Sequence, residues 1–114
     1  MRALNIQIQT TLEPTLDVAR IRAILDELSN LKPLVNSAIR DEGGEHGLFL
    51  NYTFETADIF TLWEQVQNRL LSAPGLGEQL RNCATVIAAR EGAGFENYLL
   101  LQHFDSGLEV QALS

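Results

Sequence analysis

The chain contains a single cysteine, Cys83, which excludes a disulfide bond within the chain. No run of apolar residues is long enough to cross a lipid bilayer as a helix. The first ten residues, MRALNIQIQT, alternate between polar and apolar side chains and lack the apolar core of a signal peptide. Together these absences predict a cytoplasmic location and no membrane partner.

Basic residues are also scarce. Eight Lys and Arg side chains oppose fifteen Asp and Glu side chains, which gives a net charge of −7. Lys32 is the one lysine, and the arginines are spread along the chain without forming a basic cluster. A negative field repels phosphate groups, so the composition predicts no nucleic-acid partner. The same charge suits a basic protein partner, although it also serves solubility alone.

The sequence lacks the motifs of common catalytic and nucleotide sites. Neither GGEHG (residues 43–47) nor GAG (residues 92–94) has the spacing of a phosphate-binding loop, and no GxSxG elbow occurs. Cys83 opens a segment that is predicted to be a buried strand, where a thiol is unreactive. The sequence therefore predicts no cofactor, and it leaves open whether the protein is an enzyme.

The chain has the composition of an ordinary globular domain. Its 114 residues are 46% hydrophobic and 20% charged, which supplies enough apolar material for one core. We therefore expect residues 1–114 to form a single domain.

Hydrophobic periodicity indicates a strand and then a helix at the start of the chain. Residues 4–9 alternate between apolar side chains and the amides Asn5, Gln7 and Gln9, as in a half-buried strand. From Val18 onward, apolar residues recur at steps of three and four, which predicts an amphipathic helix to about residue 30. Thr15 is the expected N-cap of this helix.

The middle of the chain predicts a second helix, a strand and a third helix. Residues 33–42, PLVNSAIRDE, suit a short helix that begins at Pro33 and ends at the glycines that follow. Its predicted buried side chains are Leu34, Val35, Ala38 and Ile39. Residues 48–54 alternate as a strand, and residues 59–71 carry a helical apolar stripe, with Thr56 as the expected N-cap. We expect this strand and helix to pack on one core.

The last third of the chain predicts three strands. Residues 83–90, CATVIAAR, are apolar on both faces and suit an interior strand. A hairpin turn signal separates them from a strand in residues 95–104, and residues 108–113 suit a short strand at an edge of the sheet.

The predicted order is β-α-α-β-α-β-β-β. It favours an α+β two-layer sandwich, with helices on one face of a mixed, mostly antiparallel sheet of four or five strands. This architecture is related to the ferredoxin-like arrangement. It differs because the ferredoxin-like second and third strands form a hairpin, whereas a helix intervenes here.

Two histidines and a carboxylate form the candidate metal site. His46 opens the second predicted strand, and His103 closes the penultimate one, with Asp105 beside it. If these two strands were antiparallel neighbours, the three side chains would lie near one edge of the sheet. The alternative is two ordinary histidines at strand ends, because no metal-binding spacing motif supports the site.

Polar residues within and beside the predicted strands form the candidate ligand site: Asn51, Arg90, Asn97 and Tyr98. Strands disfavour asparagine, so each Asn requires a reason. One interpretation is a sheet face that binds a ligand or partner, and the other is a face exposed to solvent.

The amides of the first strand favour an interaction surface, because an uncharged polar face suits an oligomer interface. The predicted function is a non-enzymatic binding or regulatory module that forms a homodimer through its sheet or binds a basic protein, as immunity proteins and antitoxins do. The alternative is a small enzyme or ligand-binding protein with a site on the sheet face or near His46 and His103.

Overall fold

The computed structural model describes residues 1–43, 49–90, 95–105 and 107–113. Within these ranges a short 3-10 helix (Thr10–Leu12) follows the first strand, and a turn of π-helix (Gln67–Leu71) continues the second α-helix. The strands and α-helices are, in order, β1 (Arg2–Gln9), α1 (Val18–Ser29), β2 (Ser37–Gly43), β3 (Phe49–Thr56), α2 (Ile59–Val66), α3 (Leu76–Leu80), β4 (Ala84–Ala89) and β5 (Tyr98–Gln102).

The strands form one sheet in the order β2-β3-β1-β4-β5, and every neighbouring pair is antiparallel. The predicted α+β class is confirmed. The first four strands have the order and directions of the ferredoxin-like arrangement, including its hairpin between β2 and β3, and β5 adds a strand beside β4. The structure is therefore closer to that arrangement than the sequence indicated.

The core lies between one face of the sheet and the helices. Leu4, Ile6 and Ile8 of β1 are 0% exposed, as the strict alternation of this strand predicts. The buried face of β3 and the buried stripe of α2 join the same core, as expected: Leu50, Tyr52, Phe54, Ile59, Leu62 and Val66.

The predicted helix in residues 33–42 is wrong, because this part of the chain forms the edge strand β2. Ile39 pairs with Thr53 of β3 and is 62% exposed, and Ala38 is also exposed. An edge strand with solvent on both faces shows no apolar alternation, so its sequence has no strand period. Its backbone hydrogen bonds come from β3, which a local pattern does not reveal.

The predicted last strand, residues 108–113, is also wrong. The segment is hydrogen-bonded to β5 through Gln111, whose backbone N–H donates to the carbonyl of Leu100 (2.6 Å). In return, the Leu100 N–H donates to the side-chain Oε1 of Gln111 (3.0 Å). A side-chain oxygen takes the place of a backbone carbonyl, and no ladder forms.

The helix starts differ from the predicted caps in both cases. Asp17 caps α1 by accepting the N–H of Arg20 (3.0 Å), so Thr15 lies outside the helix. Asp58 caps α2 by accepting the N–H of Thr61 (3.1 Å). Hydrogen bonds from the hydroxyl and the backbone of Thr61 lower the pKa of Asp58.

Thr56 ties three segments together instead of capping α2. Its side chain is 0% exposed, and its hydroxyl donates to the carbonyl of Leu34 (2.6 Å). The same oxygen accepts the N–H of Asp58 (3.0 Å). This hydroxyl therefore joins the end of β3 to the turn before β2 and to the start of α2.

We expect Thr56→Val to lower the free energy of unfolding by about 1–3 kcal/mol, because valine keeps the shape but removes the buried hydroxyl that pairs with the Leu34 carbonyl and the Asp58 N–H. Urea unfolding followed by circular dichroism measures this change. Thr11→Val, at an exposed position of the 3-10 helix, is the control and should change stability by less than about 0.5 kcal/mol. Equal losses in the two variants would contradict the role given to the Thr56 hydroxyl.

Candidate functional site

The face of the sheet opposite the helices carries half-buried, uncharged side chains on four of its five strands, β3, β1, β4 and β5. The strand register places these side chains in rows across the sheet, as in Thr53–Asn5–Ile87–Leu100. We call this surface the open face and define it by Asn5, Gln7, Gln9, Phe49, Asn51, Thr53, Thr85, Ile87 and Leu100.

A hydrogen-bonded cluster fixes the centre of the open face. The Nδ2 of Asn5 donates to the Oδ1 of Asn51 (2.7 Å) and to the Oγ1 of Thr53 (3.0 Å). These bonds cross from β1 to β3 and hold the three side chains in one arrangement. The asparagines that strands disfavour thus have a structural role, and they also form a fixed polar surface.

The structure divides the predicted ligand residues into two groups. Arg90 follows β4 and Asn97 precedes β5, and the Arg90 N–H donates to the Asn97 carbonyl (3.3 Å). Tyr98 begins β5, pairs with Ala89 and is 48% exposed. Asn51 lies on β3, three strands away and at another level of the sheet, so it is roughly 20 Å from Tyr98. Ligand binding by either group stays a prediction, but the four residues do not line one pocket.

The candidate metal residues lie only partly within the described part of the chain. The metal hypothesis required β3 and β5 to be neighbours, and the structure places β1 and β4 between them. His46 lies outside the described residues. The Nδ1 of His103 accepts the N–H of Asp105 (2.9 Å), and a carboxylate oxygen of Asp105 accepts the N–H of Gly107 (2.9 Å). Within the described ranges, no three His, Cys, Asp or Glu side chains gather in a group suited to a metal ion.

A second polar region lies on the helix side of the sheet, where the sequence predicted none. A cavity of about 470 Å³ opens between α1 and β2. We call it the cleft, and its lining residues are Asp26, Ser29, Asn30, Ala38, Arg40 and Tyr52. Because residues 33–42 were predicted to be a helix, nothing in the sequence placed Arg40 beside Tyr52. The sequence contained one indication of this site. Asp26 is an acidic residue near the carboxyl end of a helix, where the helix dipole disfavours it.

Cys83 is buried, as its apolar context predicts. Its thiol donates to the carbonyl of Gln79, with 3.4 Å between the sulfur and oxygen atoms. Burial, and to a lesser degree the charge of Glu13, raises the pKa of Cys83 to about 11. A thiol that is neutral at physiological pH and shielded from solvent is a poor nucleophile.

We expect Cys83 to resist thiol reagents at pH 8 in the folded protein and to react fully in urea. Folding raises the pKa of Cys83 above its ordinary value of 9.0. The contribution of this thiol to the free energy of unfolding should therefore be fully present below about pH 9 and be lost between about pH 9 and 11. Urea unfolding across this range measures the decline, and Cys83→Ala should reduce it. Rapid labelling of the folded chain would contradict this account.

Comparison with known proteins finds no match: no family model, no curated protein and no solved structure matches this chain. Among the helices in the described part of the chain, none is both long and apolar enough to span a membrane.

Proposed function

We propose that this protein is a small, non-enzymatic binding module of the cytoplasm that forms a homodimer by packing two open faces together. The observation that carries the proposal is the lack of charged side chains on the open face of a chain whose net charge is −7. Single-layer sheets covered by helices on one side often bury their other side in an assembly.

The distribution of charge is the first argument that the partner is a second copy of the chain. Two acidic chains repel each other, and direct opposition of like charges in an interface costs several kcal/mol. The acidic side chains nearest to the open face, Asp41 and Glu55, lie beyond it towards β2 and at its end. Two open faces that pack through β3, β1, β4 and β5 would keep these carboxylates at the rim of the interface.

Hydrogen-bonding capacity is the second support. A two-fold interface uses the same patch on both subunits, so the patch must be complementary to itself. Each amide side chain has both a donor and an acceptor group, which a face of one charge sign lacks. The amides of Gln7, Gln9 and Asn51, with Ile87 and Leu100 beside them, suit an interface that is partly apolar and partly hydrogen-bonded.

The size of the sheet suggests the strength of the association. The four strands of the open face, with usual spacing and length, give a surface of roughly 19 Å by 24 Å, or about 450 Å² on each partner. Specific interfaces bury about 800 Å² on each partner, and weaker ones less. We therefore propose a dimer with a dissociation constant in the micromolar range.

A basic protein is the second candidate partner, and the net charge of −7 favours it. Such a partner would bind the acidic surface outside the open face. Two exposed acids on the edge strand β2, Asp41 and Glu42, follow Arg40 and border the sheet on that side.

We expect Gln7→Glu to weaken the dimer at least about tenfold at pH 7, because it places two like charges near the centre of the interface. Sedimentation equilibrium or light scattering over about 1–200 μM protein measures the dissociation constant. Higher salt should restore part of the affinity, since it screens the repulsion.

Gln67→Glu is the matched control, because it makes the same chemical change at an exposed position of the helical layer. It should leave the dissociation constant unchanged. A wild-type chain that stays monomeric throughout the concentration range would overturn the homodimer and leave the basic partner as the candidate. Equal weakening by both variants would show that the dimer uses some other surface.

A further inference from the structure

The cleft brings opposite charges to one cavity without pairing them directly. Asp26 lies on α1, and Arg40 lies on β2 across the gap. No direct ion pair joins the two among the described residues, where Arg22–Glu42 and Arg69–Glu27 are the ion pairs. Arg40 and Asp26 therefore keep charge available to a third group.

A neutral phenol bridges the two charges. The Tyr52 hydroxyl donates to the Oδ1 of Asp26 (3.4 Å), and Arg40 lines the same cavity with Tyr52. Burial raises the pKa of Tyr52, while the hydrogen bond from Arg40 opposes this rise. The phenol is therefore protonated at physiological pH, and it holds Asp26 and Arg40 at the two sides of one cavity.

The α1 wall of the cleft is rich in acceptors. The Ser29 hydroxyl donates to the carbonyl of Leu25 (2.8 Å), and the Nδ2 of Asn30 donates to the carbonyl of Asp26 (3.0 Å). These bonds use the hydroxyl proton of Ser29 and one of the two N–H donors of Asn30, and they leave the Ser29 Oγ and the Asn30 Oδ1 as acceptors beside the Asp26 carboxylate. An ammonium group, which has three donors and no acceptor, complements this wall.

The β2 wall offers the reverse chemistry. Arg40 has five N–H donors in a planar fork, a geometry that binds a carboxylate through two parallel hydrogen bonds. The end of α1 also carries Asp26 and Glu27 with no basic residue in its last turn, although the helix dipole disfavours acids there. Residues that are unfavourable for local stability are expected where their side chains serve binding.

We propose that the cleft binds a free α-amino acid, with its ammonium group at the Asp26 wall and its carboxylate at Arg40. The cavity of about 470 Å³ falls within the range of roughly 300–1,000 Å³ that is usual for small-molecule sites. A zwitterion satisfies both walls at once, whereas an ion of one sign leaves one charged wall unmatched. The cleft is on the helix side of the sheet, so this proposal does not depend on the homodimer.

The test is a titration of the ¹⁵N-labelled full chain, followed by amide chemical shifts. The probes are L-alanine, L-leucine and L-glutamine, each up to about 20 mM, which detects dissociation constants in the millimolar range and below. We expect saturable shifts for at least one probe at the amides of residues 26–30 and 38–40. The N-acetyl derivative lacks the ammonium, and the carboxamide lacks the carboxylate, so each should bind at least about tenfold more weakly than its parent.

Three variants assign the charges. Arg40→Gln and Asp26→Asn should each weaken binding at least about tenfold, and Tyr52→Phe should weaken it less, because it removes the bridging hydroxyl but neither charge. Arg22→Gln is the matched control: it removes the ion pair to Glu42 between the same helix and strand without altering the cleft lining. A dispersed amide spectrum shows that each variant is folded, and Tyr52→Phe keeps the test valid if a charge variant unfolds.

Several results would overturn the proposal. One is the absence of saturable shifts with all three amino acids. Another is an N-acetyl derivative that binds as tightly as its parent, which would identify a simple anion site at Arg40. A third is unchanged affinity in both Arg40→Gln and Asp26→Asn, which would place the ligand elsewhere.

Discussion

The pairing of β1 on both of its edges is the constraint on which the rest of the structure depends. This strand hydrogen-bonds to β3 on one side and to β4 on the other, and it buries Leu4, Ile6 and Ile8 completely on one face. A shift of one residue in either register would move these three side chains to the opposite face. The strand therefore fixes which side of the sheet the helices cover.

The same alternation makes the opposite face uncharged but polar. Asn5, Gln7 and Gln9 occupy every second position of β1, and the bonds from Asn5 to Asn51 and Thr53 organise the neighbouring strand. A charged side chain in the centre of this face would suit solvent and oppose a second subunit. Amides keep the face soluble in the monomer while allowing contact between copies, which is why the open face supports the proposed dimer.

The cleft depends on β2 being an edge strand. Because β2 has a neighbour on one side only, its helix-facing side chains Ala38 and Arg40 are reached from solvent as well as from α1. Tyr52 of the adjacent strand carries its ring into the core and its hydroxyl to the cleft. The cleft and the open face therefore lie on opposite sides of one sheet, so the proposed ligand binding and the proposed self-association use different surfaces.

The sequence by itself determined β1, β3, β4, β5 and the two longer helices, because the apolar pattern of each is a property of that segment alone. It also determined that Cys83 is buried and that the first strand presents amides on one face. Only the tertiary structure decided that residues 37–43 form a strand, because the hydrogen bonds of an edge strand come from its partner. For the same reason the approach of Arg40 to Tyr52 and Asp26, and the separation of Asn51 from Tyr98, follow from strand order, which no local pattern encodes.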